Sequence, residues 1–514
     1  MLAKTGLLVL SNPKCISKLL IEVQKNVKNT LYIHLLPGLN DAAKNFHPLV
    51  LNSAPKLSST IFSIYSQVTK LCNHLDVRVL LTGLKSDSLE VKTQNPIDVF
   101  IFDKKYMKTD IEAFIGSRIL NPATKYDVIT FDYAGEDEDV NFVNKGDHKL
   151  FKHTCLGGTF DRLHTAHKLL LTDAIIRTTD KLTVGITEEN MIQGKLLWEL
   201  IQDVEVRVNN VRSFVTDIYP DLEYNICSLY DPFGPAIVDP SIEMIVVSEE
   251  TVRGGEKINE IRTKKNLSPL EIVPIPFIDE PNPQPKEELK VSSSNYRLRL
   301  LGELVKPVEK KCIPNKPYII GLTGGIASGK SGIVSHLKNL NVEVIDCDKL
   351  GHKMYTIEGP CYKKVVEHFG SEIVSSDGQI DRKVLGGMVF NNPIEMKNLT
   401  DILWPAIADE IHQIIGNTSA DVICVEAAIL CQAGWDKLCH EVWVTFIPPL
   451  EAINRLKTRN NLTEEQAKSR LSSQITNKEY IKSANVVFCT LWEVEYTKIQ
   501  VLKAWKLLQQ RLPS

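Results

Sequence analysis

The chain has 514 residues, enough for about three domains at ~150 residues each. Its 43% hydrophobic and 24% charged content is that of an ordinary globular protein, and a formal net charge of −3 leaves no electrostatic footprint for nucleic acid. No apolar run approaches the ~20 residues of a membrane span. The eleven cysteines are scattered without a C-x-x-C pair, which speaks against zinc spacing and a disulfide framework and for reduced thiols.

The start, Met1 to Leu20, is basic but holds no arginine, so it reads as part of the fold rather than as a mitochondrial leader. A reducing compartment, cytoplasm or mitochondrion, is the expectation. Residues 1–145 alternate strand and helix patterns. Gly6–Leu10, Leu31–Leu35, Val77–Leu81 and Ile97–Phe102 predict strands; Ile16–Val27 and Ile61–Cys72 predict helices. This is an α/β domain without phosphate loop, metal spacing or nucleophile signature. His34, His47 and His74 are isolated, and each reads as structural or exposed. Gly135–Asp139 reads as a solvated acidic linker. The role of this domain is open, with docking of protein partners one candidate.

A second unit, residues 150–304, opens with a strand ending at Gly157-Gly158, then Thr159-Phe160-Asp161-Arg162-Leu163-His164-Thr165-Ala166-His167. His164 and His167 are three apart, on one face of a helix start. Imidazoles there donate to phosphate oxygens, and the helix end adds its partial positive charge. A metal pair would need a third ligand, and the sequence suggests none nearby. Residues 305–316 form a charged, proline-marked linker.

The third unit, residues 317–514, opens with an apolar run, Tyr318 to Thr323. It leads into Gly324-Gly325-Ile326-Ala327-Ser328-Gly329-Lys330-Ser331 and then a helical pattern to Leu340. Strand, glycine loop, helix is the setting of a phosphate-binding P-loop. Lys330 would meet the β/γ-phosphate charge, and the Ser331 hydroxyl would ligate Mg²⁺. A strand from Val342 ends in Asp346-Cys347-Asp348, whose two carboxylates, two apart, point to the same face, toward the ligand crevice. Asp346 reads equally as a helper for Mg²⁺ or water and as the cap of the next helix.

Gly-Gly-Thr-Phe-Asp-x-x-His-x-x-His resembles the nucleotidyltransferase superfamily of cytidylyl- and adenylyltransferases, in its eukaryotic phosphopantetheine adenylyltransferase branch; Ala166 stands where the usual motif has glycine. Val247–Gly255 resembles that branch's nucleotide-side loop, and Val291–Arg297 its serine-rich loop. The order of these motifs, followed by a P-loop kinase, resembles the bifunctional coenzyme A synthase family. The fold implied is a Rossmann-like nucleotidyltransferase domain plus a P-loop kinase domain with a helical lid. The resemblance implies that 4′-phosphopantetheine attacks the α-phosphorus of ATP, releasing pyrophosphate. By it, Gly158, Thr159, Phe160, His164 and His167 line the phosphates, with His167 at the transition state. Lys195 bridges the reacting phosphates, Arg207 and Arg253 meet anionic groups, and Ser292, Ser293 and Ser294 hold ATP phosphate. From the residues alone, surface charges on a helix face are the alternative for Lys195 and Arg207, and a helix cap the alternative for Ser292.

In the last unit the resemblance is to dephospho-coenzyme A kinases. It implies that Asp348 accepts or orients the ribose 3′-hydroxyl proton of dephospho-coenzyme A and that Arg470 closes over the phosphate from a lid. Arg455 and Arg459 are open between function and a solvated helix face. Trp404-Pro405 and Val425–Leu430 depart from the bacterial pattern, so no substrate role is carried onto them. ATP and Mg²⁺ are the implied cofactors. The rivals are a different nucleotidyltransferase fused to an unrelated small-molecule kinase, and a nucleotide-sensing scaffold.

Overall fold

Short runs of β-branched and apolar residues form three separate parallel sheets, each with its helices in the crossovers. The computed structural model describes residues 2–36, 39, 54–85, 90–133, 149–311, 313–390 and 392–512. His47 and the acidic run Gly135–Asp139 lie outside them. Among the described residues, no cysteine is in a disulfide and no helix is long and apolar enough to cross a membrane.

The first sheet is β1 (Ala3–Leu10), β2 (Val27–Leu35), β3 (Asp76–Leu80), β4 (Ile97–Phe102) and β5 (Pro122–Thr130), in the order β3-β2-β1-β4-β5. The predicted strands are all present. The first helix stops at Val23, because Val27 already pairs with Ala3 in the ladder. The helix expected over Ile61–Cys72 begins earlier, at Ala54. Two elements went unread: the helix Lys108–Arg118 and β5, whose mostly exposed residues give no alternating pattern.

The second sheet is β6 (Phe151–Gly158), β7 (Thr178–Thr187), β8 (Glu223–Leu229), β9 (Met244–Ser248) and β10 (Glu271–Ile275), in the order β10-β9-β6-β7-β8. Both sheets put their first strand at the centre, with the second and third on one side and the fourth and fifth on the other. The strand order therefore reverses between β1 and β4 in one sheet and between β6 and β9 in the other. In open parallel sheets, ligands bind in the crevice at the carboxyl ends of strands flanking such a point. These two sheets share one contact-dense unit, Met1–Tyr296, and one continuous apolar cluster.

The third sheet belongs to a second unit, Arg297–Ser514. It is β11 (Tyr318–Gly324), β12 (Glu343–Asp346), β13 (Val422–Glu426), β14 (Glu441–Phe446) and β15 (Val486–Cys489), in the order β12-β13-β11-β14-β15. All seven residues of β11 are buried, as its apolar run predicts. The cut between units falls before the linker expected at 305–316, because Leu301 and Leu304 form bridges to Val487 and Val486 of β15.

Candidate functional sites

At the end of β6 the chain turns sharply. Phe160 and Arg162 adopt φ of 49° and 48° in the left-handed region, which side chains other than glycine rarely enter. Such backbone persists only where the surroundings over-determine it. Here Arg207 does so: its guanidinium donates to the Thr159 carbonyl at 2.8 Å and the Gln202 carbonyl at 2.8 Å. Asp161 adds a second tie by accepting from the Gln202 amide at 3.0 Å.

His164 is the N-cap residue of the helix Thr165–Arg177, and His167 lies in its first turn. Their rings stack at 3.8 Å between centroids, with Phe160 tilted against His167 at 5.1 Å and Tyr296 parallel to His164 at 5.5 Å. Burial holds His167 neutral, pushing its pKa down to about 4; Asp161 opposes that shift and Lys195 adds to it. The Nδ1 of His167 is shielded from solvent, with no hydrogen-bond partner among the described residues. The Ser293 hydroxyl donates to the Asp161 carbonyl at 3.0 Å and lies 3.3 Å from His164 Nε2. Ser292 precedes the helix Ser293–Leu300 and caps it, accepting from the Asn295 amide at 3.3 Å. Ser294 is half-buried in that turn. Lys195 is exposed but lies within electrostatic reach of His167. Arg253 is exposed at the start of the helix Val252–Lys264, just past β9, on the other side of the reversal point.

In the second unit the loop Gly324–Gly329 joins β11 to the helix Lys330–Lys338. Gly324 has φ of 148°, and a Cβ there would stand 2.2 Å from the Thr445 carbonyl oxygen, so only glycine fits. Ala327 is left-handed at φ 59°. Arg455 holds it, donating to the Ala327 carbonyl at 3.3 Å and the Thr490 hydroxyl at 2.9 Å. The Lys330 ammonium folds over its own loop, 2.8 Å from the Gly324 carbonyl. Burial lowers its pKa, while Glu426 and Asp348 raise it. Ser328 is tied to Thr445 hydroxyl to hydroxyl at 2.6 Å, and Ser331 is exposed in the first helical turn. The helices Pro449–Asn460 and Glu464–Ser472 pack through Ile453, Leu456 and Ala467, with Ile326 and Ala327 of the loop against them. Arg470 is exposed on the second of these helices.

Comparison with known proteins matches residues 318–490 to the dephospho-CoA kinase family. A dephospho-CoA kinase of Carboxydothermus hydrogenoformans is 37% identical over 37% of this chain and 94% of its own length. Another, from Dehalococcoides mccartyi, is 37% identical over 33% of this chain and 86% of its own. The chain belongs to the dephospho-CoA kinase family. Residues 155–299 match the cytidylyltransferase-like family and residues 4–123 the COASY N-terminal domain. Three such matches in one chain are the make-up of a bifunctional coenzyme A synthase. Among solved structures, a dephospho-CoA kinase from Campylobacter jejuni aligns at 27% identity and a TM-score of 0.30, over 38% of this chain and 96% of its own.

Two expectations for the sites need correction. Asp346 and Asp348 do not share a strand face. The strand ends at Asp346, which caps the following helix by accepting from the Lys349 amide at 3.0 Å, and Asp348 sits exposed in that helix's first turn. Arg207 is 1% exposed and spends donors on two backbone carbonyls, so it shapes the Thr159 turn rather than standing at the surface as a free anion partner. Arg455 likewise supports the P-loop backbone from the lid side. The residue that sequence reasoning missed in the kinase is Glu426. It closes β13, beside Leu322 of β11, and its pKa is raised first by burial and then by the Asp346 charge, with Lys330 pulling it back. A lone carboxylate ending the apolar run Val422–Val425 was the available signal.

Proposed function

We propose that the two crevices act in succession on one metabolite: the first adenylates 4′-phosphopantetheine with ATP, and the second phosphorylates the 3′-hydroxyl of the resulting dephospho-coenzyme A. The observation that carries this reading is the pairing, in one chain, of a stacked histidine pair at one strand-order reversal with a P-loop whose lysine lies within reach of two carboxylates.

In the first crevice the phosphate of 4′-phosphopantetheine attacks the α-phosphorus, pyrophosphate leaves, and no covalent enzyme intermediate forms. Positioning and charge neutralisation carry such a step. A neutral His167 donates a hydrogen bond to the developing charge, Lys195 supplies the cation, and Thr159, His164 and Ser293 orient the phosphates. Gly158, Phe160, Ser292 and Ser294 shape the walls, and Arg253 approaches from the β9 side. In the second crevice Asp348 accepts or orients the hydroxyl proton, Lys330 neutralises the transferring phosphoryl group, and Arg470 covers it.

Magnesium fits the kinase residues. Among the described residues no cluster of three or more His, Cys, Asp or Glu is set to hold a metal. Mg²⁺ is instead held by one or two protein groups together with substrate phosphates and water. Ser331 and Glu426 would be those groups, and the ion would supply charge neutralisation at the phosphates. Pyrophosphate release by the purified chain tests the reading, with 4′-phosphopantetheine, nicotinamide mononucleotide and flavin mononucleotide as rival acceptors. Release with 4′-phosphopantetheine alone is the expected result; release with another acceptor instead would refute it.

A further inference from the structure

The helix that carries the histidine pair is buried almost all round. Thr165, Lys168, Thr172 and Asp173 are 8%, 4%, 0% and 3% exposed. Thr165, Lys168 and Thr172 follow the three- and four-residue steps of a single helix face. A polar face of that kind belongs in water when a helix covers a sheet alone. Here the N-terminal domain covers it. The Thr69 and Thr165 hydroxyls are 2.8 Å apart, and Lys168 Nζ donates to Asp76 Oδ1 at 2.5 Å and to the Val77 carbonyl at 3.1 Å. The Ser58 hydroxyl donates to Asp173, and Lys85 donates to the Ile175 and Thr178 carbonyls at the helix's far end.

Two of these ties lie next to the chemistry. Thr165 follows His164 and Lys168 follows His167. The Lys168 amide also closes the first turn on the His164 carbonyl at 3.0 Å. The grip extends to a second helix of the site. Arg78 pairs with Asp76 at 2.8 Å and with Asp217 at 2.7 Å, and Asp217 also accepts from the Tyr32 hydroxyl and the Gln94 amide. Asp217 belongs to the helix Val204–Ile218, which carries Arg207, the clamp on the Thr159 turn.

The N-terminal domain repeats the strand order of its neighbour, yet its own reversal point is filled from within. Between β1 and β4 the Asp103 carboxylate, wholly buried, accepts from the Ser11 amide at 2.6 Å, the Asn12 amide at 2.9 Å and the Ser11 hydroxyl. A carboxylate of the chain thus takes the place that an anionic ligand would need.

We propose that the N-terminal domain is a brace for the adenylylation site, in which Asp76 and Thr69 are positioning residues that set the register of the histidine helix. This rests on the adenylyl-transfer reading above. The test is steady-state kinetics of the full chain carrying Asp76→Asn or Thr69→Val, with adenylyl transfer and the kinase step assayed separately. Adenylyl kcat falls roughly ten- to a hundredfold, the scale of a small misplacement of a positioned group. KM for ATP and 4′-phosphopantetheine stays within about twofold, the mark of an interaction felt in the transition state. Kinase turnover of supplied dephospho-coenzyme A is unchanged. Should Asp76→Asn fail to fold, Thr69→Val, which keeps the volume, decides alone. Wild-type adenylyl kcat in the folded variants, or a proportional loss of both turnovers, overturns the brace. Absence of adenylyl turnover in the wild type would instead overturn the functional reading.

Discussion

The amide of Ile326, in the P-loop, donates to the side-chain oxygen of Gln474 at 2.7 Å. A residue just past the lid helix therefore holds one of the loop's anion donors. An incoming phosphate has to displace it. Gln474→Ala removes the competitor, and the net worth of one such hydrogen bond is about 1 kcal/mol. The KM for ATP in the kinase step then falls about fivefold at similar kcat. A higher KM would show that Gln474 assists nucleotide binding.

Glu426 is the group through which the kinase crevice feels its own charge. Burial and the nearby Asp346 and Asp348 raise its pKa, and Lys330 opposes them. Glu426→Gln keeps the shape and removes the carboxylate. Kinase kcat falls by about a hundredfold, the scale of one positioned acid–base or charge-bearing group. Pyrophosphate release from the first step is unaffected. Both are read in one coupled assay, and a kinase rate near wild type would remove Glu426 from the site.

His34 supplies a pH dependence of stability. It is 0% exposed on β2, and burial followed by the Arg118 charge lowers its pKa from the ordinary 6.5 to about 4. The unfolded chain takes up this proton first as pH falls. Stability from the neutral ring is thus complete above pH 6.5 and is lost progressively down to about pH 4. By pH 5 the loss is about 2 kcal/mol. In urea titrations at pH 7 and pH 5, His34→Leu shrinks the acid-induced drop in the midpoint of the unit Met1–Tyr296. An equal drop in both proteins would contradict this.

Much of both sites was legible because their chemistry is local in sequence. The loop Gly324–Ser331 and the run Gly157–His167 each place donors, turn and helix start within a dozen residues, and the strand-loop-helix context follows from periodicity. What was not legible depends on contacts far apart in the chain. Thr165, Lys168 and Thr172 have the spacing of a solvated helix face, and it is the N-terminal domain, through Thr69, Asp76 and Tyr65, that packs against them. Arg207 has the composition of an anion partner, but its helix points the guanidinium at backbone carbonyls. Asp348 was misassigned to a strand face because Asp346, a natural N-cap residue, ends the strand two residues earlier.

The central claim is that two anion crevices work in sequence on one thiol-bearing metabolite, and mass spectrometry of products tests it most directly. Wild type given 4′-phosphopantetheine, ATP and Mg²⁺ yields coenzyme A. Lys330→Ala stops at dephospho-coenzyme A, which accumulates, and His167→Ala makes neither product yet still phosphorylates supplied dephospho-coenzyme A. Coenzyme A formed by Lys330→Ala at the wild-type rate, or loss of both steps in a folded His167→Ala protein, would contradict the account.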